Sequence, residues 1–295
     1  MTRGIRMNMR IIRRAAAVAA IAAGSLGAQS PARVSLVPNY QPDSHLFYAV
    51  TIHADIGPQS TLDTDAEVDM HILPGASLGN FEAELRFTRF HTVVKADAAS
   101  QAALSAQVAD TDKKAVSMAP VHVRSTTGAL TLVSRAAGAD YDQPVEMLEE
   151  LARTDELPSG PASVGNQWTR QRSEPIPQVN FSLALTLECT LKALDARTAT
   201  LQVHSFGSSP LPPGSLPGSD QMAAQGLVAE PTVSYDTDAT VQYRVPDAVL
   251  EQTNATTHNH MQIRYVGPSP DAHTSEIAIN STSTVKLEKI VPGKS

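Results

Sequence analysis

The stretch Phe181–Lys192, FSLALTLECTLK, decides the fold class because apolar and polar residues alternate along it with a period of two. The positions of one parity are apolar: Phe181, Leu183, Leu185, Leu187, Cys189 and Leu191. The positions of the other parity are mostly polar: Ser182, Thr186, Glu188, Thr190 and Lys192. This period is typical of a strand with one buried and one solvated face, which is the usual state of strands in antiparallel sheets.

The same alternation recurs along the chain. It is clean at Leu62–Leu73 and Phe81–Phe87, and further strands are predicted at 46–54, 121–124, 129–134, 198–206, 232–245, 260–266 and 275–290. Helical patterns occur at Asp97–Ala109 and Pro144–Leu151. The sequence therefore predicts an all-β fold with two short helices. Its antiparallel meanders form either a curved, half-barrel-like sheet or two related β modules.

A faint internal repeat suggests how the chain is divided. Ala83, Leu85, Phe87 and Phe90 align at one constant offset with Ala199, Leu201, Val203 and Phe206. This predicts a first β-meander at 44–135 and a second at 163–290, with a helix and linker at 136–162. Chance similarity between alternating strands is the alternative explanation. A disordered lead at 29–43 and a mobile, Pro- and Gly-rich loop at 207–220 complete the predicted organisation.

The first residues have the pattern of an export signal. Five arginines with no acidic residue precede the uncharged run Ala15–Gly24, and small residues lead to a predicted cut after Ala28. We expect residues 1–28 to be a signal peptide and the mature chain to be periplasmic or secreted in a bacterium. An uncleaved anchor is the alternative, and the Arg13–Arg14 pair leaves the choice between the general and the twin-arginine export route open.

Charge and cysteine content limit the classes of partner and of membrane attachment that we expect. The chain has 23 basic and 30 acidic residues, and loss of the arginine-rich leader would make it still more acidic, which argues against nucleic acid as a partner. With no cysteine near the cut and no later segment apolar enough, neither a lipid anchor nor a membrane span is expected. Cys189, the one cysteine, is predicted to be a buried, inert thiol.

A short motif opens the second predicted module. Val164, Gly165 and Trp168 precede the Phe181–Lys192 strand, and a polar turn and the strand 199–206 follow. This order resembles a family of uncharacterised bacterial secreted and lipoprotein β-rich proteins, in which a G-x-x-W element ("vGdsW") opens a strand meander. The resemblance covers mainly residues 160–206 and, more loosely, 46–90. It implies a β-rich fold and export, but no activity, and this chain lacks the anchoring cysteine of the lipoprotein members.

The sequence shows none of the common catalytic motifs. It contains no G-x-G-x-x-G, no phosphate-binding loop, no H-E-x-x-H and no C-x-x-C, and the segment Gly160–Gly165 does not have the spacing of a nucleophile elbow. We therefore predict no catalytic residue and no cofactor.

Two histidines form the candidate metal site. His258 and His260 are two residues apart, so on a strand both imidazoles share one face and could bind one ion. A third ligand would have to come from another strand, and His273, His204 and Asp271 are the candidates. A solvated polar turn is the alternative.

Two other features have both a functional and a structural interpretation. Asp63, Asp65, Glu67 and Asp69 form an acidic row that could bind calcium loosely or supply paired acids for glycoside hydrolysis. The alternative is a solvated outer face of a strand. Trp168 is the candidate ligand-binding residue, through stacking, and its alternative role is that of a core aromatic.

Two function hypotheses follow. The first is an exported, soluble, non-catalytic protein that binds an apolar, lipid-like ligand or an envelope protein partner on the concave apolar face of its sheet. The second is a metal- or carboxylate-dependent hydrolase of the cell envelope. A structural or adhesive module cannot be separated from the first hypothesis by sequence.

Overall fold

The strands of the computed structural model follow the period-two pattern. The structure describes residues 32–56, 60–126, 129–134, 143–176, 181–212, 214–216, 219–224, 228–266 and 274–293. The large sheet and the helices belong to one compact unit, residues 34–295. The predicted signal peptide, 1–28, lies outside the described residues.

The described ranges contain thirteen strands and three helices. The strands are β1 (Arg33–Val34), β2 (His45–Ile56), β3 (Thr61–Ile72), β4 (Asn80–Lys95), β5 (Val121–Thr126), β6 (Ala129–Ser134), β7 (Ala162–Ser163), β8 (Gln167–Ile176), β9 (Phe181–Leu194), β10 (Thr198–Pro210), β11 (Val228–Arg244), β12 (Leu250–Val266) and β13 (Thr274–Val291). The helices are α1 (Gln101–Ser117), α2 (Gln143–Ala152) and α3 (Ser219–Ala224). The predicted all-β, antiparallel fold class is confirmed.

Eleven of these strands form one open antiparallel sheet. Their order is β6-β5-β4-β3-β2-β13-β12-β11-β10-β9-β8, while β1 and β7 form a separate two-stranded sheet. Most neighbours in the large sheet are consecutive in sequence, but β13 pairs with β2 from Val291↔His45 to Ile279↔Ile56. One sheet therefore contains strands from both predicted meanders. Their origin by duplication stays a prediction.

One face of the large sheet, which we call the inner face, carries the core. On β9 the residues of one parity are almost fully buried, namely Leu183, Leu185, Leu187, Cys189 and Leu191. On β3 the same holds for Ala66, Val68, Met70 and Ile72. Because successive strand residues point to opposite faces, the remaining residues of each strand form the outer face.

Helix α2 and the irregular segments 34–44 and 153–157 cover the inner face. Val145, Leu148 and Leu151 lie on one side of α2, all buried, as the predicted helical spacing requires. The predicted disordered lead is wrong for its described part, because Leu36 and Tyr40 are buried in the same core. An uncovered apolar sheet face would stay in contact with water, so this segment gains free energy by packing onto it.

Two other predicted segments, a helix and a loop, have different bounds in the structure. Helix α1 begins at Gln101, since the carboxylate of Asp97 accepts hydrogen bonds from the backbone N–H groups of Ala99 and Ser100 in a preceding turn. It also continues past Ala109 to Ser117. The predicted loop 207–220 starts later than expected, because β10 continues to Pro210 and pairs there with β11.

Gly207 supplies a test of the packing between β9 and β10. A Cβ atom at Gly207 would clash with the carbonyl oxygen of Ala184 and lie 2.8 Å from Cδ2 of Leu185. We expect Gly207→Ala to lower the free energy of unfolding by about 1–3 kcal/mol in urea denaturation. Gly160→Ala, where a Cβ would meet nothing within 4 Å, is the matched control and should change it little. Equal stability of the two variants would contradict the described β9–β10 approach.

Candidate functional site

A cavity lies between the inner face and the cover formed by α2 and the turn 153–157. Its volume is about 210 Å³. The strand residues that line it are mainly apolar and include Val50, Leu187, Val203, Val241, Leu250 and Val285, while Met147 and Leu151 line it from α2. An apolar cavity of about 150 Å³ is large enough to admit benzene. The space is therefore suited to a small apolar molecule or to part of a larger one.

A cluster of charged side chains closes the cover against the edge strand β8. Arg172 donates two hydrogen bonds to the carboxylate of Asp155, from Nε and from Nη2, both at 2.7 Å. It also donates from Nη1 to Glu150 at 3.1 Å. We call this set, together with Arg153 and Glu174, the Arg172 cluster. Bidentate pairs between a guanidinium and a carboxylate are among the stronger polar interactions in proteins, and the pair of Arg172 with Asp155 joins the turn to β8.

The second arginine of the cluster is also paired. Nε of Arg153 lies 2.9 Å from a carboxylate oxygen of Glu150, and Nη2 lies 3.4 Å from Glu174. Burial would raise the pKa of Asp155, but the hydrogen bonds and charge of Arg172 outweigh it and hold that pKa below its usual value. Asp155 is therefore an anion, and each guanidinium beside the cavity has carboxylate partners within the protein.

Glu156 is an ionisable group of the cavity wall whose pKa is strongly shifted. Its carboxyl group accepts a hydrogen bond from the hydroxyl of Tyr243, which is buried. Burial, together with the nearby negative charge of Asp155, raises the pKa of Glu156 to about 8. At neutral pH, Glu156 is therefore mainly a neutral acid. A neutral carboxylic acid on the wall leaves the cavity less polar than a carboxylate would.

Trp168, the predicted ligand-binding residue, holds the turn that carries Glu156. Its indole Nε1 donates to the backbone carbonyl of Glu156 at 2.9 Å, and its ring packs partly buried against the core. Trp168 is not among the described residues that line the cavity. The hydrogen bond from Trp168 therefore positions the turn that carries Glu156. The stacking of a ligand on the indole ring stays a prediction.

The predicted metal pair lies on the other side of the sheet. Ala255 and Thr257 of β12 line the cavity, so His258 and His260, at positions of the opposite parity, lie on the outer face. A ring nitrogen of His258 lies 2.7 Å from Oδ1 of Asn280, and Nε2 of His260 lies 3.8 Å from Glu276. The two imidazoles thus share a face, but each has a different partner on β13.

The proposed third ligands do not complete that site within the described ranges. His204 pairs with Asp236 at 3.3 Å, and His273 and Asp271 lie outside the described residues. Among the residues that the structure describes, no three His, Cys, Asp or Glu side chains are grouped so that they could hold a metal ion. Metal binding by His258 and His260 stays a prediction.

The acidic row of β3 lies on the outer face, and the prediction that all of it is solvated is wrong at Asp69. Its side chain is only 3% exposed and accepts hydrogen bonds from Arg86 on β4, with the shorter contact at 2.8 Å. His45 on β2 lies 2.8 Å from its other oxygen. A carboxylate can be buried only when such partners replace water. Asp65 and Glu67 are exposed, as predicted.

Cys189 is buried on the inner face of β9 as a free thiol. Burial raises its pKa to about 12. The thiolate that reactive cysteines need is therefore absent at neutral pH, in agreement with the predicted inert thiol.

Comparison with known proteins adds no further assignment. No model of a known protein family matches the sequence, and no curated protein matches it either. In the portion of the chain that the structure describes, no helix has the length and apolar character needed to cross a membrane. The site must therefore be interpreted from its own geometry.

The raised pKa of Glu156 predicts a pH dependence of stability. The carboxyl group titrates near pH 8 in the folded chain, well above its ordinary value of 4.5. Between these values the folded state binds a proton that the unfolded state has lost. Glu156 therefore contributes stability that is lost as pH rises through this window, and the loss levels off above pH 8.

Urea unfolding followed by the fluorescence of Trp168, the one tryptophan, tests this between pH 5 and 9. Glu156→Gln removes the titrating group and keeps an acceptor for Tyr243, so we expect a flatter dependence. Glu188→Gln, at an exposed position on the outer face of β9, is the matched control and should keep the wild-type slope. Parallel curves for the wild type and Glu156→Gln would contradict the buried neutral acid.

Proposed function

We propose that this chain is exported from a bacterial cell and binds a small apolar, lipid-like ligand in the cavity beneath α2. The observation that carries the proposal is the cavity itself, about 210 Å³ with a mainly apolar wall. Sites for small molecules are usually concave and mainly apolar, with a few polar groups that orient the ligand. The arginine-rich leader of the sequence supports export.

The side chains around the space also support a ligand. Small side chains, Ala239 and Ala255, line it where larger ones would fill it. A bound apolar molecule would cover the apolar wall and remove that surface from water.

A carboxylate-dependent hydrolase is the second candidate, and one observation favours it. Glu156 is mainly a neutral acid and Glu150 lines the same cavity, so a proton donor and a second carboxyl group face one space. Turnover of 4-nitrophenyl glycosides or esters that is abolished by Glu156→Gln would support this candidate. In a binding protein, the same variant keeps its affinity for an apolar ligand and the wild type shows no turnover.

Filling the cavity tests the leading proposal. Ala255→Phe places an aromatic ring into the space, whereas Ala278→Phe places the same ring on an exposed outer-face position of β13. We expect calorimetric titration with ethylbenzene to show saturable binding to the wild type and to Ala278→Phe. Binding to Ala255→Phe should be at least tenfold weaker. Equal affinity of all three proteins, or no binding to the wild type, would contradict the proposal.

Removal of the N-terminal signal peptide tests whether the chain is exported. When the full chain is produced in a bacterium with a periplasm, we expect the periplasmic fraction to contain a product whose first residue is Gln29. Replacing the two residues Arg13 and Arg14 by Lys distinguishes the export routes, because the twin-arginine route depends on that pair. A full-length chain that stays in the cytoplasm would contradict export.

A further inference from the structure

Ser205 brings an unpaired hydroxyl group to the cavity wall. The residue lies on the inner face of β10 and is 6% exposed. Its Oγ is buried and has no hydrogen-bond partner among the residues that the structure describes. Ser205 lines the cavity. A buried hydroxyl group without a partner destabilises a fold, so a water molecule or a ligand group that pairs with this one would stabilise it.

The neighbouring hydroxyl groups do not pair with Ser205 but with each other. Strand register places Thr237 of β11 beside Ser205 and Thr257 of β12 beside Thr237, and both threonines line the cavity. The hydroxyl of Thr237 donates to Oγ1 of Thr257 at 2.9 Å. Ser205, Thr237 and Thr257 thus form a row of three hydroxyl groups across the strands. The unpaired hydroxyl of Ser205 lies at one end of this row, next to the apolar side chain of Leu187 on β9.

The charged side chains of the cavity wall form ion pairs inside the protein, although Nε of Arg153 has no partner of hydrogen-bond geometry among the described residues. Arg172 is held by Asp155 and Glu150, and Arg153 lies beside Glu150 and Glu174. A ligand carboxylate would have to compete with these carboxylates for a guanidinium. A ligand ammonium group would likewise compete with the arginines for Glu150. Transfer of an unpaired charge into such a space is strongly unfavourable.

We propose that the ligand is a neutral molecule with a mainly apolar body and one hydroxyl or carbonyl oxygen, and that Ser205 forms a hydrogen bond with that oxygen. This inference rests on the proposed function, because it concerns the same cavity. An alcohol, a ketone or an ester fits this description, whereas a fatty-acid anion or an amine does not. The hydroxyl of Ser205 can donate to a carbonyl and can donate to or accept from an alcohol.

Four probes that each carry one phenyl ring test the inference. They are ethylbenzene, 1-phenylethanol, benzoate and 1-phenylethylammonium, which differ mainly in the polar group on an apolar ring. Each is titrated calorimetrically into the full mature chain as wild type, as Ser205→Ala and as Ser182→Ala. Ser182 is an exposed serine on the outer face of β9 and serves as the matched control.

We expect the wild type and Ser182→Ala to bind 1-phenylethanol most tightly and each charged probe at least tenfold more weakly. Ser205→Ala should weaken the binding of 1-phenylethanol by about three- to tenfold, the value of one neutral hydrogen bond, and leave ethylbenzene unchanged. The melting temperature of ligand-free Ser205→Ala should equal or exceed that of the wild type. A lower value would show that the hydroxyl has a partner inside the protein.

The remaining outcomes separate the two claims. If ethylbenzene binds and Ala255→Phe blocks it, but Ser205→Ala leaves the affinity for 1-phenylethanol unchanged, the assignment of Ser205 is wrong and the apolar site stands. If benzoate binds most tightly, the ligand is an anion and the neutral class is wrong. If no probe binds the wild type, the proposed function itself is contradicted.

Discussion

The pair between Arg172 and Asp155 is the interaction on which the candidate site depends. Both side chains are largely withdrawn from water, 10% and 15% exposed, and the guanidinium meets the carboxylate through two bonds of 2.7 Å. Removing Arg172 would leave the buried carboxylate of Asp155 without its main partner, and removing Asp155 would leave the guanidinium only its contact with Glu150. Breaking such a buried pair costs far more than losing a surface ion pair. Because Asp155 belongs to the turn and Arg172 to β8, the pair fixes the cover to the sheet, and Glu150 extends the connection to α2.

The continuity of the sheet supplies the other side of the site. Pairing of β13 with β2 joins strands that are far apart in the sequence, so the inner face runs across both without an edge between them. The cavity wall combines residues from both sides of that junction, such as Val50 of β2 and Val285 of β13. Toward Ser205 and Thr237 the wall changes from aliphatic groups to hydroxyl groups, while the charged groups come from the cover and from Arg172 on β8. A body of low polarity with one oxygen matches this distribution.

Local patterns predicted most of the fold but little of the site. The alternation in Phe181–Lys192 depends only on which face is buried, so the strand and its inner residues could be predicted. The pairing of β2 with β13 is non-local, and no short pattern indicates it. Burial of Asp69 depends on Arg86 from the next strand. Arg172 and Glu174 are an even number of residues from Trp168, so on a strand all three side chains point to the same face. This spacing could have indicated that charged groups face the interior.

Nuclear Overhauser effects between methyl groups of the protein and bound 1-phenylethanol test the central claim most directly, because they locate the ligand. We predict contacts from the ligand ring to methyl groups of the cavity wall, in particular those of Leu187, Val203 and Val241. Val228 and Ile277, which are each 48% exposed, provide the comparison on the surface. Contacts only to these exposed methyl groups, or none at saturating ligand, would contradict the claim that the space beneath α2 is a ligand site.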